Sequence, residues 1–210
     1  MNDSIIKLVI ITTLLGLLLG CSEDFLDTPP HQVTDKTYFS NPEAAQKALV
    51  GAYDPLTWYW APVDALFMGD IVGHDAHKGG ESPLDQGYVE HLRNFNYEAT
   101  NALAERRYNE NFVGVGRCNR LLEGLATMTE EQISTPLKER LAAEAKFLRG
   151  YYYFQLAKYF GQVPLVTSML PPSGYEQPLA GKAELWGQIE QDFQDAAQAL
   201  PRKSGLAPSD

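Results

Sequence analysis

A chain of 210 residues has room for one domain of ordinary size. Hydrophobic residues make up 44% of it and charged residues 21%, so it can bury a core and is not a disordered tail. Acidic residues outnumber basic ones by 27 to 17, and the resulting formal charge of −10 repels phosphate backbones, which argues against nucleic acid as a partner. Two cysteines are too few for a disulfide framework or a four-cysteine zinc site.

The N-terminus has the features of an export signal. The apolar run at residues 8–19 is too short to span a bilayer, which takes about 20 residues, but it fits the core of a secretory signal peptide. It ends in Leu18-Leu19-Gly20-Cys21, which resembles the bacterial lipobox. We therefore predict a signal peptide over residues 1–20 and lipidation of Cys21, with a transmembrane helix or an incidental cysteine as the alternatives. Residues 22–24 resemble the surface-export signal of Bacteroidetes lipoproteins, or are merely a solvated start.

A tether and a first helix are predicted next. Residues 21–40 show little periodicity and are expected to form a lipid-anchored tether. Asn41 suits the N-cap of a helix, Pro42 suits its first position, and Pro55 stops or kinks it. Residues 56–100 are predicted to be irregular, and irregular segments of this length are usually functional or disordered.

Three longer helices are predicted from apolar residues at helical spacing, at about residues 101–122, 136–160 and 183–200. The fold class is therefore all-α, and its helix pairs resemble a TPR-like solenoid without a clean period of about 34 residues. A solenoid needs later helices to cover its last face, and residues 201–210 resemble a loop between helices. We therefore expect the domain of residues 41–210 to be incomplete at its C-terminus.

Polar side chains are concentrated between residues 69 and 81. Four of them, Asp70, His74, Asp75 and His77, are the candidate metal ligands. They could bind a metal ion if the segment turned helically, which would favour a metal-dependent hydrolase. Together with Lys78 they could instead bind the hydroxyls of a sugar, or simply be solvated. No catalytic residue, metal or cofactor is predicted, since the sequence contains no G-x-S-x-G, H-E-x-x-H, P-loop or C-x-x-C motif.

Aromatic side chains offer the apolar half of a sugar site. Trp58 and Trp60 lie in a run of three consecutive aromatic residues, which cannot all face one core. At least one is expected to be exposed or in a cleft, where it would stack on a ligand; the alternative is that they anchor the core. Cys118 has no intrachain partner once Cys21 is acylated, and we expect a small buried hydrophobe on a helix or, less simply, a reactive thiol.

Residues 144–166, EAKFLRGYYYFQLAKYFGQVPLV, closely resemble the signature helix of the SusD/RagB family. Residues 21–27, 112–119 and 189–201 resemble three further segments of this family in the same order. The resemblance implies a SusD-like, TPR-like fold and a lipid-anchored outer-membrane protein that faces the extracellular side and has no catalytic activity. Such a protein binds oligosaccharides and delivers them to a SusC-like TonB-dependent transporter.

The resemblance leaves alternatives open. The RagB branch binds peptides, which is the main alternative, and a metal-dependent hydrolase or a purely structural TPR scaffold comes after it. Family members are usually more than twice this length, so part of the ligand site would lie outside this sequence. Residues 74–81 contain no aromatic side chain, Tyr108 stands where the family often has Trp, and Asp70 aligns only loosely, so starch specificity does not follow.

Overall fold

The computed structural model describes residues 38–58, 60–82, 84–96 and 98–201. The predicted signal peptide, Cys21 and the tether up to residue 37 lie outside the described residues. Contacts divide the chain into Met1–Tyr38 and Phe39–Asp210. Only Tyr38 of the first unit is described, so the fold below is that of the second.

Within the described residues this unit consists of helices and loops, without a strand, which confirms the all-α prediction. Its α-helices are α1 (Pro42–Tyr53), α2 (Trp60–Leu66), α3 (Gly87–Arg93), α4 (Ala102–Thr127), α5 (Thr135–Phe160) and α6 (Lys182–Ala199). A π-helical turn, Phe67–Ile71, continues α2, and 3₁₀ turns lie at Asp54–Thr57 and Pro172–Gly174.

Helix α1 begins as its sequence predicts. The Asn41 side chain accepts a hydrogen bond from the backbone N–H of Ala44 at 2.9 Å, and Pro42 occupies the first turn. The face formed by Ala45, Leu49 and Ala52 is buried. Helix α1 therefore starts at a polar cap and contributes an apolar face of small side chains to the core.

Helices α4 and α5 form the centre of the fold. The Tyr152 ring of α5 lies directly against Gly114 of α4, where a Cβ atom would overlap it. The phenol of Tyr152 donates to the Ala52 carbonyl of α1 at 2.7 Å, so one side chain joins three helices. Gly161 ends α5 at φ +74°, a conformation that glycine adopts at little cost.

Helix α6 is attached to α5 by a buried ion pair. The Arg149 guanidinium donates to both carboxylate oxygens of Asp192, at 2.8 and 2.7 Å, and the exposed fractions of the two residues are 7% and 1%. Arg149 also donates to the Asn119 amide oxygen at 3.0 Å. Because every polar atom of this group has a partner, the network fixes the relative position of α4, α5 and α6.

The apolar segment at residues 163–166 is not part of a sheet in the described structure. The Val166 carbonyl accepts from the amide of Asn119 at 2.9 Å and from the Tyr153 phenol at 2.8 Å, and its N–H donates to the same phenol oxygen. Side chains of α4 and α5 thus replace the hydrogen bonds that a neighbouring strand would supply.

The prediction that residues 56–100 are irregular is wrong in part. This segment contains α2, the π-helical turn and α3. Each of the two helices has seven residues, which is two turns, and two turns are too short for an apolar periodicity to stand out. Packing stabilises α3 and the π-helical turn, because Val89 and Leu92 of α3 and Ile71 of the turn are buried against Leu103 at the start of α4.

Candidate functional site

The polar loop, which we define as residues 72–86, lies between the π-helical turn and α3. Beneath it lies the buried cluster of Ile71, Val89, Leu92 and Leu103, against which Val72 and Ala76 also pack. The loop is therefore anchored by its apolar side chains, while Asp70, His74, Asp75 and His77 are exposed. The segment has the arrangement expected of a surface that presents polar groups to a ligand.

Backbone hydrogen bonds hold the first turn of the polar loop. The Asp70 carbonyl accepts from the N–H groups of Asp75 and Ala76, at 2.8 and 3.0 Å, and the Gly73 N–H donates to Gly69 at 2.8 Å. These bonds bring the backbones of Asp70 and Asp75 together, and both residues are exposed.

Lys78, which the sequence analysis offers as a sugar-binding side chain, instead binds the backbone of its own loop. Its ammonium group donates to the backbone carbonyl of Asp85 and, at 3.4 Å, to that of Ser82. The side chain thus bridges the two halves of the polar loop. Lys78 therefore holds the loop together, while the carboxylates and imidazoles of Asp70, His74, Asp75 and His77 stay exposed.

The structure adds an aromatic side chain that the sequence analysis missed. Phe95, just after α3, lies beside His74, with ring centroids 5.6 Å apart and an interplanar angle of 36°. It is 61% exposed. Residues 74–81 contain no aromatic side chain, but folding brings one from 21 positions further along the chain. The contact could not be predicted from local sequence, because the two residues are far apart in the chain.

Both residues of this pair have left-handed backbones, with φ +67° at His74 and +57° at Phe95. For residues other than glycine this conformation costs about 1–3 kcal/mol and persists where the surrounding structure imposes it. The Phe95 N–H donates to Leu92 at 3.0 Å and the Asn96 N–H to His91 at 2.8 Å, so the end of α3 fixes this geometry. Strain of this kind concentrates at ligand-binding segments.

The metal-ligand interpretation of the polar loop gains no support from the geometry. No three His, Cys, Asp or Glu side chains in the described ranges are grouped so that they could hold a metal ion. This includes Asp70, His74, Asp75 and His77, which are close in sequence but do not converge.

Trp58 lies away from the polar loop. Its indole N–H donates to Asp54 at 2.9 Å, and its ring lies 5.6 Å from the Arg117 guanidinium of α4. Arg117 follows Leu103, the residue under the polar loop, by 14 positions, or roughly 20 Å along the helix. The structure therefore does not bring Trp58 and the loop together, and the Trp60 side chain lies outside the described residues.

A cleft between these two regions was not predicted from the sequence. It has a volume of about 380 Å³ and is lined by α2, α4 and α5. Arg107 and Glu110 of α4 form its polar wall, with Nη1 and Oε2 3.6 Å apart. Burial raises the pKa of Glu110, an effect that the nearby Arg107 guanidinium only partly offsets. We call this the Arg107 cleft.

Cys118 is the small buried hydrophobe that the sequence predicts. It lies on α4 and is fully buried. Burial raises the pKa of its thiol to about 12, so the nucleophilic thiolate is scarcely populated at neutral pH. The alternative of a reactive thiol is therefore disfavoured.

The fold and these surfaces define a class, an all-α, TPR-like protein that presents polar groups and aromatic rings on its surface. A family model described as SusD-like, starch-binding associating with outer membrane, matches residues 24–208. The chain belongs to this SusD-like family, as its signature helix indicates. None of the helices in the described part of the chain is long and apolar enough to cross a bilayer.

Known relatives agree with this assignment. The chain is 24% identical over 170 residues to a SusD-like protein of Bacteroides ovatus, covering 76% of this chain and 28% of that protein. It is similar to the solved structure of a laminarin-binding SusD-like protein, at 29% identity and a TM-score of 0.68, over 77% of this chain and 35% of that one.

A further similar structure is surface glycan-binding protein A of Bacteroides thetaiotaomicron in complex with laminarihexaose. The identity is 26% and the TM-score 0.61, and the match covers 75% of this chain and 32% of that one. The chain thus spans between 28% and 35% of the length of these three proteins.

Proposed function

We propose that this protein binds oligosaccharides at the cell surface and delivers them to a SusC-like TonB-dependent transporter. The observation that carries the proposal is the exposed Phe95 ring held beside His74, in a segment where the side chains of Asp70 and Asp75 are exposed as well. A sugar ring has an apolar face that stacks on an aromatic side chain and hydroxyls that bond to carboxylates and imidazoles. The polar loop and the Phe95 ring beside it together offer both kinds of contact.

Its relatives support the same class of ligand. One is a laminarin-binding protein, and another is a glycan-binding protein in complex with laminarihexaose. In this chain we assign stacking to Phe95 and hydrogen bonding to Asp70, His74, Asp75 and His77, with Lys78 positioning the loop. Trp58 lies roughly 20 Å from the loop along α4, so a short oligosaccharide bound at the loop would not reach it. Trp58 and Trp60 therefore remain predicted contacts for a longer glycan only.

The test is affinity electrophoresis of the purified protein in gels that contain laminarin, starch or another polysaccharide, followed by titration of the best ligand. Phe95→Ala is expected to weaken binding about tenfold, or ~1.4 kcal/mol. His74→Asn is expected to weaken it as well, while Asn tolerates the left-handed backbone. Leu84→Ala is the matched control, because Leu84 is an 88% exposed apolar side chain of the same loop.

Two outcomes would redirect the proposal. Retention of an oligopeptide and of no polysaccharide would favour the RagB-like alternative. Equal loss of binding in Phe95→Ala and Leu84→Ala would mean that exposed apolar area in general, and not the Phe95 ring beside His74, holds the ligand. The transporter partner is tested separately, by capture of the tagged protein from outer membranes and identification of a TonB-dependent transporter in the eluate.

A further inference from the structure

A surface groove follows α4 and consists of two cavities that share Tyr108. One, of about 470 Å³, is bordered by Glu98, Glu105 and Phe160, and the other, of about 320 Å³, lies between α4 and residues 164–177. Both volumes fall in the range of small-molecule sites, about 300–1,000 Å³. We call the two cavities together the α4 groove. Its residues on α4 recur three or four positions apart, so they share one face of the helix: Ala104, Tyr108, Phe112, Val115, Gly116 and Asn119.

The side chains of the α4 groove are accessible from solvent. Tyr175 is 70% exposed and Met169 is 43% exposed, while Tyr108 and Phe112 are half-buried. The floor is open at Gly116, where no atom lies within 4 Å of the position that a Cβ would take. A ligand in the groove can therefore contact these residues directly.

Hydrogen bonds to α4 hold the far wall of the groove, residues 164–177. The Asn119 amide donates to the Val166 carbonyl at 2.9 Å, and the Glu123 carboxylate accepts from the Met169 N–H at 2.6 Å. The wall is thus fixed before a ligand arrives. A preformed site avoids the cost of ordering its walls upon binding.

Aromatic rings lie on both walls of the groove. On one wall, the centroid of the Tyr108 ring is 4.7 Å from that of Phe112 and 5.3 Å from that of Phe160, which it meets edge-on. On the other wall, the exposed Tyr175 ring follows the 3₁₀ turn Pro172–Gly174, whose proline restricts the backbone. Rings placed in this way can stack on the apolar faces of sugar rings.

The charge of the groove favours a neutral ligand. Within the described residues, the charged side chains that line it are Glu98 and Glu105, and both are exposed. Carboxylates accept hydrogen bonds from hydroxyl groups and repel anions. The formal charge of the chain, −10, opposes the approach of anions more generally.

The groove begins close to the surface on which the proposed function depends. Glu98 follows Phe95 by three positions, so at most about 11 Å separates their Cα atoms. From Ala104 to Asn119 the groove then follows α4 for roughly 20 Å. A single sugar ring would occupy a small part of this length, whereas a chain of several rings would fill it.

From these observations we infer that the α4 groove binds the continuation of a sugar chain held at Phe95, so that the ligand is a linear, neutral oligosaccharide of several units. Its rings stack on Tyr108 and Tyr175, and its hydroxyls donate to Glu105. The inference rests on the proposed function for the class of ligand and adds the charge and the length of that ligand.

The test is isothermal titration calorimetry of the full chain with the disaccharide and the hexasaccharide of three neutral glucans. The probes are laminaribiose and laminarihexaose, cellobiose and cellohexaose, and maltose and maltohexaose. In at least one series the hexasaccharide is expected to bind at least about tenfold more tightly than the disaccharide, because it also occupies the groove.

Three variants separate the groove from the polar loop. Gly116→Leu, which fills the open floor, and Tyr175→Ala are each expected to weaken hexasaccharide binding about tenfold and disaccharide binding less than twofold. Phe95→Ala is expected to weaken both, because both sugars use the ring beside the polar loop. Gly116→Leu places its side chain in open space, so we expect an unchanged Tm, which shows that lost binding is not unfolding.

Two matched controls accompany these variants. Gly187→Leu makes the same change in α6, at another helical glycine with no atom within 4 Å of its Cβ position. Leu179→Ala removes a 64% exposed side chain just beyond residues 164–177. Both are expected to change hexasaccharide binding less than twofold.

Several results would overturn the inference. If Gly116→Leu and Tyr175→Ala leave hexasaccharide binding intact while Phe95→Ala weakens it, the proposed function stands and the groove has no part in it. Loss of hexasaccharide binding in Trp58→Ala instead would place the longer chain on the Trp58 surface. Tighter binding of hexagalacturonate or of hexaglycine than of every neutral hexasaccharide would assign the groove to anions or to peptides. Absence of binding by all six sugars would overturn both proposals.

Discussion

Buried charged side chains are of two kinds in this protein. Arg149 and Asp192 are joined by two short hydrogen bonds, so each charge has a partner that replaces water. Glu110 is comparably buried, but its Oε2 atom has no hydrogen-bond partner in the described protein and only a longer ion-pair contact with Arg107 Nη1, at 3.6 Å. The Arg149–Asp192 pair holds helices together, whereas burial of the Glu110 carboxylate lowers the stability of the folded protein. Residues that are costly in this way are frequently functional.

The cost of Glu110 predicts a pH-dependent effect on stability. Its pKa is raised in the folded protein, mainly by burial and further by Asp64 of α2, against the opposing guanidinium groups of Arg107 and Arg106. The folded state therefore favours the protonated carboxyl, and stability is lost as pH rises through the raised pKa. Glu110→Gln is expected to raise Tm at pH 7.

The measurement is a pair of thermal unfolding curves for the wild type and Glu110→Gln, at pH 7 and at pH 4. At pH 4, below the ordinary pKa of glutamate, the wild-type carboxyl is largely protonated in both states, and the difference in Tm should shrink. A variant that is less stable at pH 7 and unchanged at pH 4 would contradict the expected sign.

At the scale of elements, close contact between helices depends on particular glycines. Gly114 of α4 is packed under the Tyr152 ring of α5, and Gly124 of the same helix is packed under Phe39. Gly116 lies on the same helix with no atom within 4 Å of where its Cβ would be. A side chain at position 114 would therefore overlap the Tyr152 ring, whereas a side chain at position 116 would meet no other atom.

Gly114→Ala is expected to destabilise the protein by about 1–3 kcal/mol, because the Tyr152 ring would have to move and would disturb its hydrogen bond to Ala52. Gly116→Ala is its control and is expected to stabilise by about 0.5–1 kcal/mol, since alanine restricts the unfolded chain without a clash. Urea unfolding of both variants measures the difference. Equal effects of the two substitutions would show that α4 and α5 do not approach closely at Gly114.

The attachment of α6 to α5 gives a second prediction at this scale. Asp192→Asn leaves the buried Arg149 charge uncompensated and is expected to cost about 3–5 kcal/mol. Asp195→Asn removes the partner of Lys146, at 2.6 Å and about a third exposed, and is expected to cost no more than about 1 kcal/mol. Chemical denaturation distinguishes them. Similar losses in both variants would mean that burial of the Arg149–Asp192 pair has little weight in holding α6.

At the scale of the whole molecule, α4 is the axis that relates the surfaces described above. The polar loop rests on Leu103 at its start, the Arg107 cleft opens one turn later, and Trp58 contacts Arg117 beyond it. Since a helix rises about 1.5 Å per residue, these regions follow one another over roughly 20 Å. A glycan of several rings has comparable dimensions, which is why the proposed function assigns Trp58 to a longer glycan only.

The predicted lipid anchor also belongs to this scale. Cys21→Ala is expected to abolish incorporation of labelled palmitate and to release the protein from the outer membrane, because acyl chains supply about 0.8 kcal/mol per buried methylene. Cys118→Ala is the matched control, since the Cys118 thiol is buried, and it is expected to leave labelling unchanged. Undiminished labelling or membrane attachment in Cys21→Ala would remove the anchor from the proposed function.

The sequence alone determined the helical class and the bounds of the long helices, except the end of α4, which lies at Thr127 and not near residue 122. The signals for a long helix lie within a few residues of each other, so a short window of sequence is enough to identify them. They are caps such as Asn41, stops such as Gly161 and apolar residues at helical spacing. The short helices α2 and α3 were not predicted, because two turns are too few for an apolar periodicity to be recognised. The structure shows that they exist because they are packed, not because their own residues favour a helix strongly.

Only the tertiary structure decided which polar and aromatic groups meet. It placed Phe95 beside His74, assigned Lys78 to the backbone of its own loop, kept Trp58 apart from that loop and buried Arg107 with Glu110 in a cleft. Spacing along a helix shows which face a residue shares, but the neighbour across that face comes from a distant part of the chain. The burial of a charge and the partner left to it follow from packing, which no local pattern in the sequence encodes.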